Sequence, residues 1–226
     1  MADLASTQRA YRAPCPGCGA PVEFRSAQST HAVCGYCQST VVRQGEVLSR
    51  LGKMAELFDD HSLLQLMASG TVDGQGFTLV GRLQYKYGDG TWTEWQALLN
   101  DGSTGSLSED NGAYVFSRAV APGRAIPPAE QFRVGTTTAI NGRSYSVASN
   151  QSVALMAAQG ELPHLPALGQ SFAVVELRAQ DGAQVLSIDY GPTLTGEPPG
   201  VSVGRPVTLD ELRMTGLKDE SAKEEK

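Results

Sequence analysis

Phe77-Thr-Leu-Val-Gly-Arg-Leu-Gln-Tyr-Lys-Tyr87, Gly88-Asp-Gly90, Thr91-Trp-Thr-Glu-Trp-Gln-Ala-Leu-Leu99 reads as two strands joined by a turn. Apolar and polar residues alternate on both sides of an Asp-Gly pair, which is the strongest short-range hairpin signal. Phe77, Leu79, Leu83 and Tyr85 fall on one face. With a three-residue loop, Gly88 to Gly90, the second strand adds Thr93, Trp95, Ala97 and Leu99 to it. A two-residue loop adds Trp92, Glu94, Gln96 and Leu98 instead, and so buries a carboxylate. That burial is unfavourable, so the three-residue loop is expected. It makes Trp95 a core residue, leaves Trp92 and Glu94 outward and sets Lys86 opposite Trp92.

Turn pairs recur outward from this hairpin at Asp101-Gly102, Asn111-Gly112, Asn141-Gly142 and Asp181-Gly182. Around the last of these, Leu177 faces Leu186, Val175 faces Ile188 and Ala173 faces Tyr190. Glu176, Arg178, Ser187 and Asp189 take the other side, as an antiparallel sheet with one buried face requires. The proline-rich stretch Pro122 to Pro128 divides the pattern. The expectation is a mainly β protein with a first β half over 63–120 and a second over 129–215. Two small antiparallel barrels or sandwich-like units, or one sheet system shared between the halves, would fit. From Glu46 to Phe58 the apolar residues Val47, Leu48, Leu51, Met54, Leu57 and Phe58 have helical spacing, which predicts a connecting helix over 46–58. The charged tail 218–226 is expected to be disordered.

Upstream, Cys15-Pro-Gly-Cys18 and Cys34-Gly-Tyr-Cys37 form two close cysteine pairs. Two residues between paired cysteines let both thiolates of one tight turn reach a single ion, and two such turns complete a tetrahedron. Residues 13–43 therefore read as a zinc ribbon holding one structural Zn²⁺ through Cys15, Cys18, Cys34 and Cys37. Four sulfurs leave no open position for a substrate. His31, three residues before Cys34, reads as a loop residue.

The chain has 226 residues, 41% of them hydrophobic and 19% charged, with a net charge of −6. These values suit a globular protein. No apolar run is long enough to span a bilayer. The opening residues lack the apolar core of a signal peptide, so a cytoplasmic protein with reduced thiols is expected. Residues 9–53 carry a formal charge of +4 and the remainder −10. A loaded site would cut the first figure to about +2, a weak footprint for nucleic acid.

The segments Gly76-Phe-Thr-Leu-Val-Gly-Arg-Leu-Gln-Tyr85, Trp92-Thr-Glu-Trp95 and Gly160-Glu-Leu-Pro163 resemble an uncharacterised bacterial family, domain of unknown function 4178. The resemblance spans about residues 60–215, and members can carry an N-terminal zinc ribbon. It implies an accessory role in a stress or membrane-associated system and no particular chemistry.

Enzyme motifs are missing from the sequence: it has no phosphate loop, nucleophile elbow, paired-histidine metalloprotease motif or dinucleotide fingerprint. His61 and His164 stand alone, and Glu94, Glu161 and Glu176 form no evident pair. The expectation is a non-enzymatic zinc-binding adaptor. A protein partner would bind an outward strip of Tyr87, Trp92, Glu94 and Tyr114. The alternatives are a nucleic-acid-binding ribbon and a small-molecule binder or enzyme using a cleft between the β halves.

Overall fold

The computed structural model describes residues 10–58, 61–88, 90–191 and 198–218. The N-terminal part is a small β module. Strands β1 (Tyr11–Pro14) and β2 (Pro21–Phe24) form one antiparallel hairpin. Strands β3 (His31–Val33), β4 (Ser39–Gln44) and β5 (Val47–Lys53) form a second layer. Phe24, Ala32, Val41, Cys15 and Cys34 are buried between the layers.

The helix expected over 46–58 does not form, and Val47–Lys53 is a strand. Gly45, at φ 63, reverses the chain after β4, and the free edge of β4 then offers hydrogen bonds to whatever follows. A helix here would leave that edge bare, and Gly52 weakens it further. The apolar residues with helical spacing are not gathered on one buried face: Val47 and Leu51 are more than half exposed, while Met54 is buried.

The remainder is one closed barrel. Its strands are β7 (Gln75–Tyr87), β8 (Gly90–Leu99), β9 (Thr104–Asp110), β10 (Ala113–Ala119), β12 (Arg143–Leu162), β13 (Ser171–Ala179), β14 (Val185–Asp189) and β15 (Gly200–Val207). Around the ring they run β7-β8-β9-β10-β15-β14-β13-β12 and back to β7, every pair antiparallel. Both β halves therefore share one eight-stranded ring. Short strands β6 (Ser69–Val72) and β11 (Thr137–Ile140) pair with the starts of β7 and β12. Among the described residues no helix is long and apolar enough to cross a membrane. The tail expected to be disordered lies, beyond Lys218, outside the described residues.

The two halves repeat each other at a constant offset. Ser69 of β6 matches Thr137 of β11. The turn Asp73-Gly74 (φ 50 and 78) matches Asn141-Gly142 (φ 51 and 77). Met67 N–H donates to Leu79 O, as Gly135 N–H donates to Val147 O. The register shift between Leu79 and Gly81 recurs between Val147 and Ser149. Buried Leu64, Val72, Phe77 and Leu79 match buried Phe132, Ile140, Tyr145 and Val147. Where β7 crosses β12, the backbones leave no room for side chains. A Cβ on Gly81 would lie 2.0 Å from Glu161 O, and one on Gly160 (φ 75) would lie 2.3 Å from Val80 O.

Each half buries an apolar outer face under its own flanking segments. Leu64, Ala68 and Leu212 cover Phe77, Leu79, Trp95, Ala97, Leu107 and Phe116. Ala129, Phe132 and Ile140 cover Val147, Val175, Leu177, Leu186, Ile188 and Val201. Trp95 is thus a core residue, fully buried, with its indole N–H donating to Glu109 Oε2 at 3.1 Å. The pairings Leu177–Leu186 and Val175–Ile188 also match the expected register.

The hairpin register of β7 and β8 differs from expectation. Tyr87 pairs with Gly90, so two residues connect the strands; Tyr85 pairs with Trp92, Leu83 with Glu94 and Lys86 with Thr91. The bulge at Leu79–Gly81 restores Leu79 to Ala97 and Phe77 to Leu99. Both faces of β7 are consequently covered, one by the outer layer and one by the barrel interior.

Candidate metal centre and barrel interior

The four cysteines come from two turns of the same build. Cys15 N–H donates to Ala20 O and Gly19 N–H to Cys15 O; Cys34 N–H donates to Ser39 O and Gln38 N–H to Cys34 O. The residue after each pair, Gly19 (φ 77) and Gln38 (φ 58), takes the left-handed conformation that closes the turn. All four sulfurs lie within 4.8 Å of one another. Cys15 and Cys37 Sγ are 3.7 Å apart, and Cys18 and Cys34 Sγ 3.8 Å. A tetrahedron with metal–sulfur bonds of ~2.3 Å has edges of about 3.8 Å, so the set fits one metal ion. Gly17 N–H points at Cys15 Sγ from 3.3 Å, and the Ser39 hydroxyl lies 3.2 Å from Cys37 Sγ. Hydrogen bonding with Ser39 lowers the pKa of the Cys37 thiol, whereas hydrogen bonding with Cys37 raises that of Cys18.

The module is fastened to the barrel by strand pairing and by one carboxylate. β3 pairs with Gly160–Leu162 at the end of β12. Glu161, 2% exposed, accepts the backbone N–H groups of Arg25 (2.8 Å) and Ser26 (3.0 Å) on Oε2. Burial raises its pKa against the pull of these donors. Val33 and Met54 join the apolar cluster of Leu83, Leu155, Leu162 and Phe172, and Thr104 at the start of β9 donates to Gln28 Oε1 at 3.1 Å.

Glu94 and Asp189 identify the inner face. They sit on β8 and β14, four strands apart whichever way the ring is followed. Burial pushes the Glu94 carboxyl up to about 7, and the Asp189 charge adds to the rise. Burial also raises Asp189, and the phenol of Tyr85 feels both carboxylates. The opposite face of these strands is covered by the flanking segments of each half, which leaves Glu94 and Asp189 on the inner face. The residues paired in register with them share that inner face: Leu83 and Ser108 with Glu94, and Val174 with Asp189.

An aromatic cluster on the same face packs with Leu83, Leu155, Val33 and Met54. Tyr85 and Trp92 stack with ring centroids 4.9 Å apart, and Phe172 meets Tyr85 edge-on at 6.1 Å. Tyr87 leans on Trp92 at 5.7 Å and donates to Asp110 Oδ2 at 3.3 Å. Opposite stand short side chains, including Ser106 and Ser117, whose hydroxyls are 2.9 Å apart, and Ser108, Ser187 and Ser202. Glu94, Ser106, Ser108, Ser187 and Ser202 are only partly buried.

Tyr87, Trp92, Glu94 and Tyr114 therefore do not share an outward strip. Trp92 and Glu94 line the lumen, and Tyr114 packs against the outer core with its hydroxyl donating to Glu109 Oε1 at 3.2 Å. Reading the sequence with one buried face per strand misplaced Glu94 and missed Tyr85, Phe172 and Asp189 as lumen residues. The signal was present in the Asp181-Gly182 hairpin, where Glu176, Ser187 and Asp189 align as the polar side.

A family model described as Domain of unknown function (DUF4178) matches residues 65–209, which is the barrel. No curated protein and no solved structure matches the chain.

Proposed function

Since the chain belongs to the family of domain of unknown function 4178, whose name prescribes no activity, we propose a function from the geometry: a non-enzymatic binding protein that takes a small molecule into its barrel. A structural zinc ion in the four-cysteine module braces one end. The observation that carries the reading is the closed eight-stranded ring. Eight strands enclose a space just wide enough to be filled by side chains or to hold one small ligand. Here the inward residues on β9, β14 and β15 are largely short, and several keep accessible surface. Zinc is favoured for the module because four thiolates at tetrahedral spacing suit it.

The small-molecule reading replaces the outward aromatic strip as the basis for function. A contact with a protein keeps one supporting observation. Strand β5 is an edge strand with Val47 and Leu51 exposed, and Tyr36 is exposed in the second cysteine turn, so the module offers a surface for a second contact. Support for nucleic acid is thinner. Arg25 is paired with Glu23 at 2.7 Å, and Arg43 lies over the rings of Tyr11 and Phe24.

The test is metal content together with a thermal-shift screen of small molecules on the full chain. One zinc per chain, lost in Cys15→Ser, and a ligand that raises the melting temperature in wild type but not in Trp92→Ala would support the reading. Binding that survives Trp92→Ala, or ligands found only on the module, would move function away from the lumen.

A further inference from the structure

The path of paired strands has two ends, β6 and β5. The β6 end is covered. Ser69 N–H donates to Thr215 O at 3.0 Å and Thr71 N–H to Leu212 O at 2.7 Å, so the segment after β15 closes that edge. The matching edge in the second half, β11, is capped at Ala139 O by the Arg124 guanidinium. The β5 end has no such cover. Gln44 pairs with Val47 across the two-residue loop Gly45-Glu46, so Val47 and Ser49 turn their backbone groups towards β4. Leu48 and Arg50 then turn theirs outward, and no described residue hydrogen-bonds to them. Beside this edge Val47 and Leu51 are 63% and 60% exposed. A row of unpaired backbone groups flanked by exposed apolar side chains is a template for another strand.

The edge is complementary to itself. When two copies of β5 run antiparallel about a two-fold axis at Ser49, Leu48 of one copy faces Arg50 of the other. These are the residues with outward backbone groups, so each such pair can exchange two hydrogen bonds. Val47 then faces Leu51 on both sides of the axis, which gathers the four exposed apolar side chains on one face. On the other face Glu46 comes diagonally beside Arg50 of the copy, so the acidic start of each strand meets the basic end of its mate. An axis at Arg50 would oppose like charges, and an axis at Leu48 would set Leu51 against Gly45. We infer that the partner of the β5 edge is a second copy of this chain, paired antiparallel through β5 with Ser49 on the two-fold axis. Leu51 is the bulged residue of β5, and a bulge bends the strand beyond it. The ladder is therefore short and the dimer weak and reversible. The inference gives the protein contact at this edge its partner and is independent of ligand binding in the barrel.

The experiment is sedimentation of the full, metal-loaded chain over a range of concentrations, with cross-linking to fix the register. The weight-average mass should rise with concentration towards twice that of the chain. Val47→Lys combined with Leu51→Lys should weaken the association about tenfold or more. Both positions are exposed, so the melting temperature of the dilute protein should not change, and a loss of dimer cannot be ascribed to misfolding. Glu46→Arg should weaken the dimer, and adding Arg50→Glu should restore it. Ser49→Cys should form a disulfide between copies under mild oxidation, because opposed residues at the axis have Cα atoms about 4.5 Å apart. Val47→Cys should not, since its mate lies four residues along, about 13 Å away. A chain that stays monomeric at about 1 mM would overturn the inference and leave the edge to a strand of another protein. A dimer that survives both lysines, or that cross-links at Val47→Cys as readily as at Ser49→Cys, would also overturn it, because the copies would then meet elsewhere or in another register. None of these outcomes alters the thermal-shift screen and its Trp92→Ala control, which decide the barrel reading separately.

Discussion

Glu94 stands inside the barrel with its pKa raised from 4.5 to about 7 by burial and by the charge of Asp189. A raised carboxyl binds its proton more tightly in the folded chain than in the unfolded one. Its contribution to stability is therefore greatest below about pH 4.5 and is lost as pH rises through about 7. The size follows from the shift and is about 3 kcal/mol. Asp189 is raised as well and acts in the same direction. Wild-type protein should resist urea better at pH 5 than at pH 8. Glu94→Gln should flatten much of that difference and be the more stable of the two at pH 8. Equal slopes for the two proteins would mean that Glu94 is solvated in solution. The single-residue reading of the sequence failed at this position for a definite reason. Excluding a carboxylate from the core is sound where the alternative face meets bulk water, but here the outer face is the apolar core and the inner face is a polar lumen.

At the scale of elements, two junctions hold the parts together. The first is Glu161 at the end of β12, which accepts two backbone N–H groups from the loop after β2. Glu161→Ala would strand both donors in a buried place and should cost about 2 kcal/mol or more. Glu161→Gln keeps an acceptor and should cost less. Hydrogen exchange at Arg25 and Ser26 is the direct measure: both amides should exchange faster in the alanine variant while β13 and β14 stay protected. Unchanged exchange would show that strand pairing alone holds the module. The second junction is the crossing of β7 and β12. Gly81→Ala would drive a Cβ onto the Glu161 carbonyl, where backbone and not a flexible side chain must give way. A loss of about 3 kcal/mol is expected, read as a lower urea midpoint with the slope unchanged. Elements were legible where local rules and tertiary context agree, as at the Asp181-Gly182 hairpin. They were misread at Val47–Lys53. Apolar spacing there favours a helix, but the open edge of β4 captures the backbone, and local sequence carries no information about that edge. The bulge after Leu79 was hidden for a similar reason. Its cue is Gly81, and only the approach of β12 explains why a glycine stands there.

For the whole molecule, the internal repeat decides the architecture. Two copies of one unit, each a short strand, a tight turn, a long bulged strand and three further strands, close the ring on each other along β7–β12 and β10–β15. Few residue identities survive between the copies, which is why the sequence displayed two β halves without disclosing that they are repeats or that they share a ring. Turn residues and buried positions survive, because those are what the fold needs. This organisation separates the stability of the barrel from that of the module. The outer cores of both halves are built from barrel residues and their own flanking segments, whereas the module meets the barrel chiefly through Val33, Met54, Glu161 and β3. The module's own core is six buried residues, two of them cysteines, too little to fold without its metal. A strong chelator should therefore release protection from amide exchange throughout residues 11–53 and leave β8, β9, β13 and β14 protected, in two separate transitions. At the junction the effect should be graded, with the amides of Gly160 to Leu162 loosening because β3 no longer pairs with them. Should the barrel amides exchange together with those of the module, the metal would be supporting one common core, and the module would be part of the barrel's foundation rather than a brace at its end.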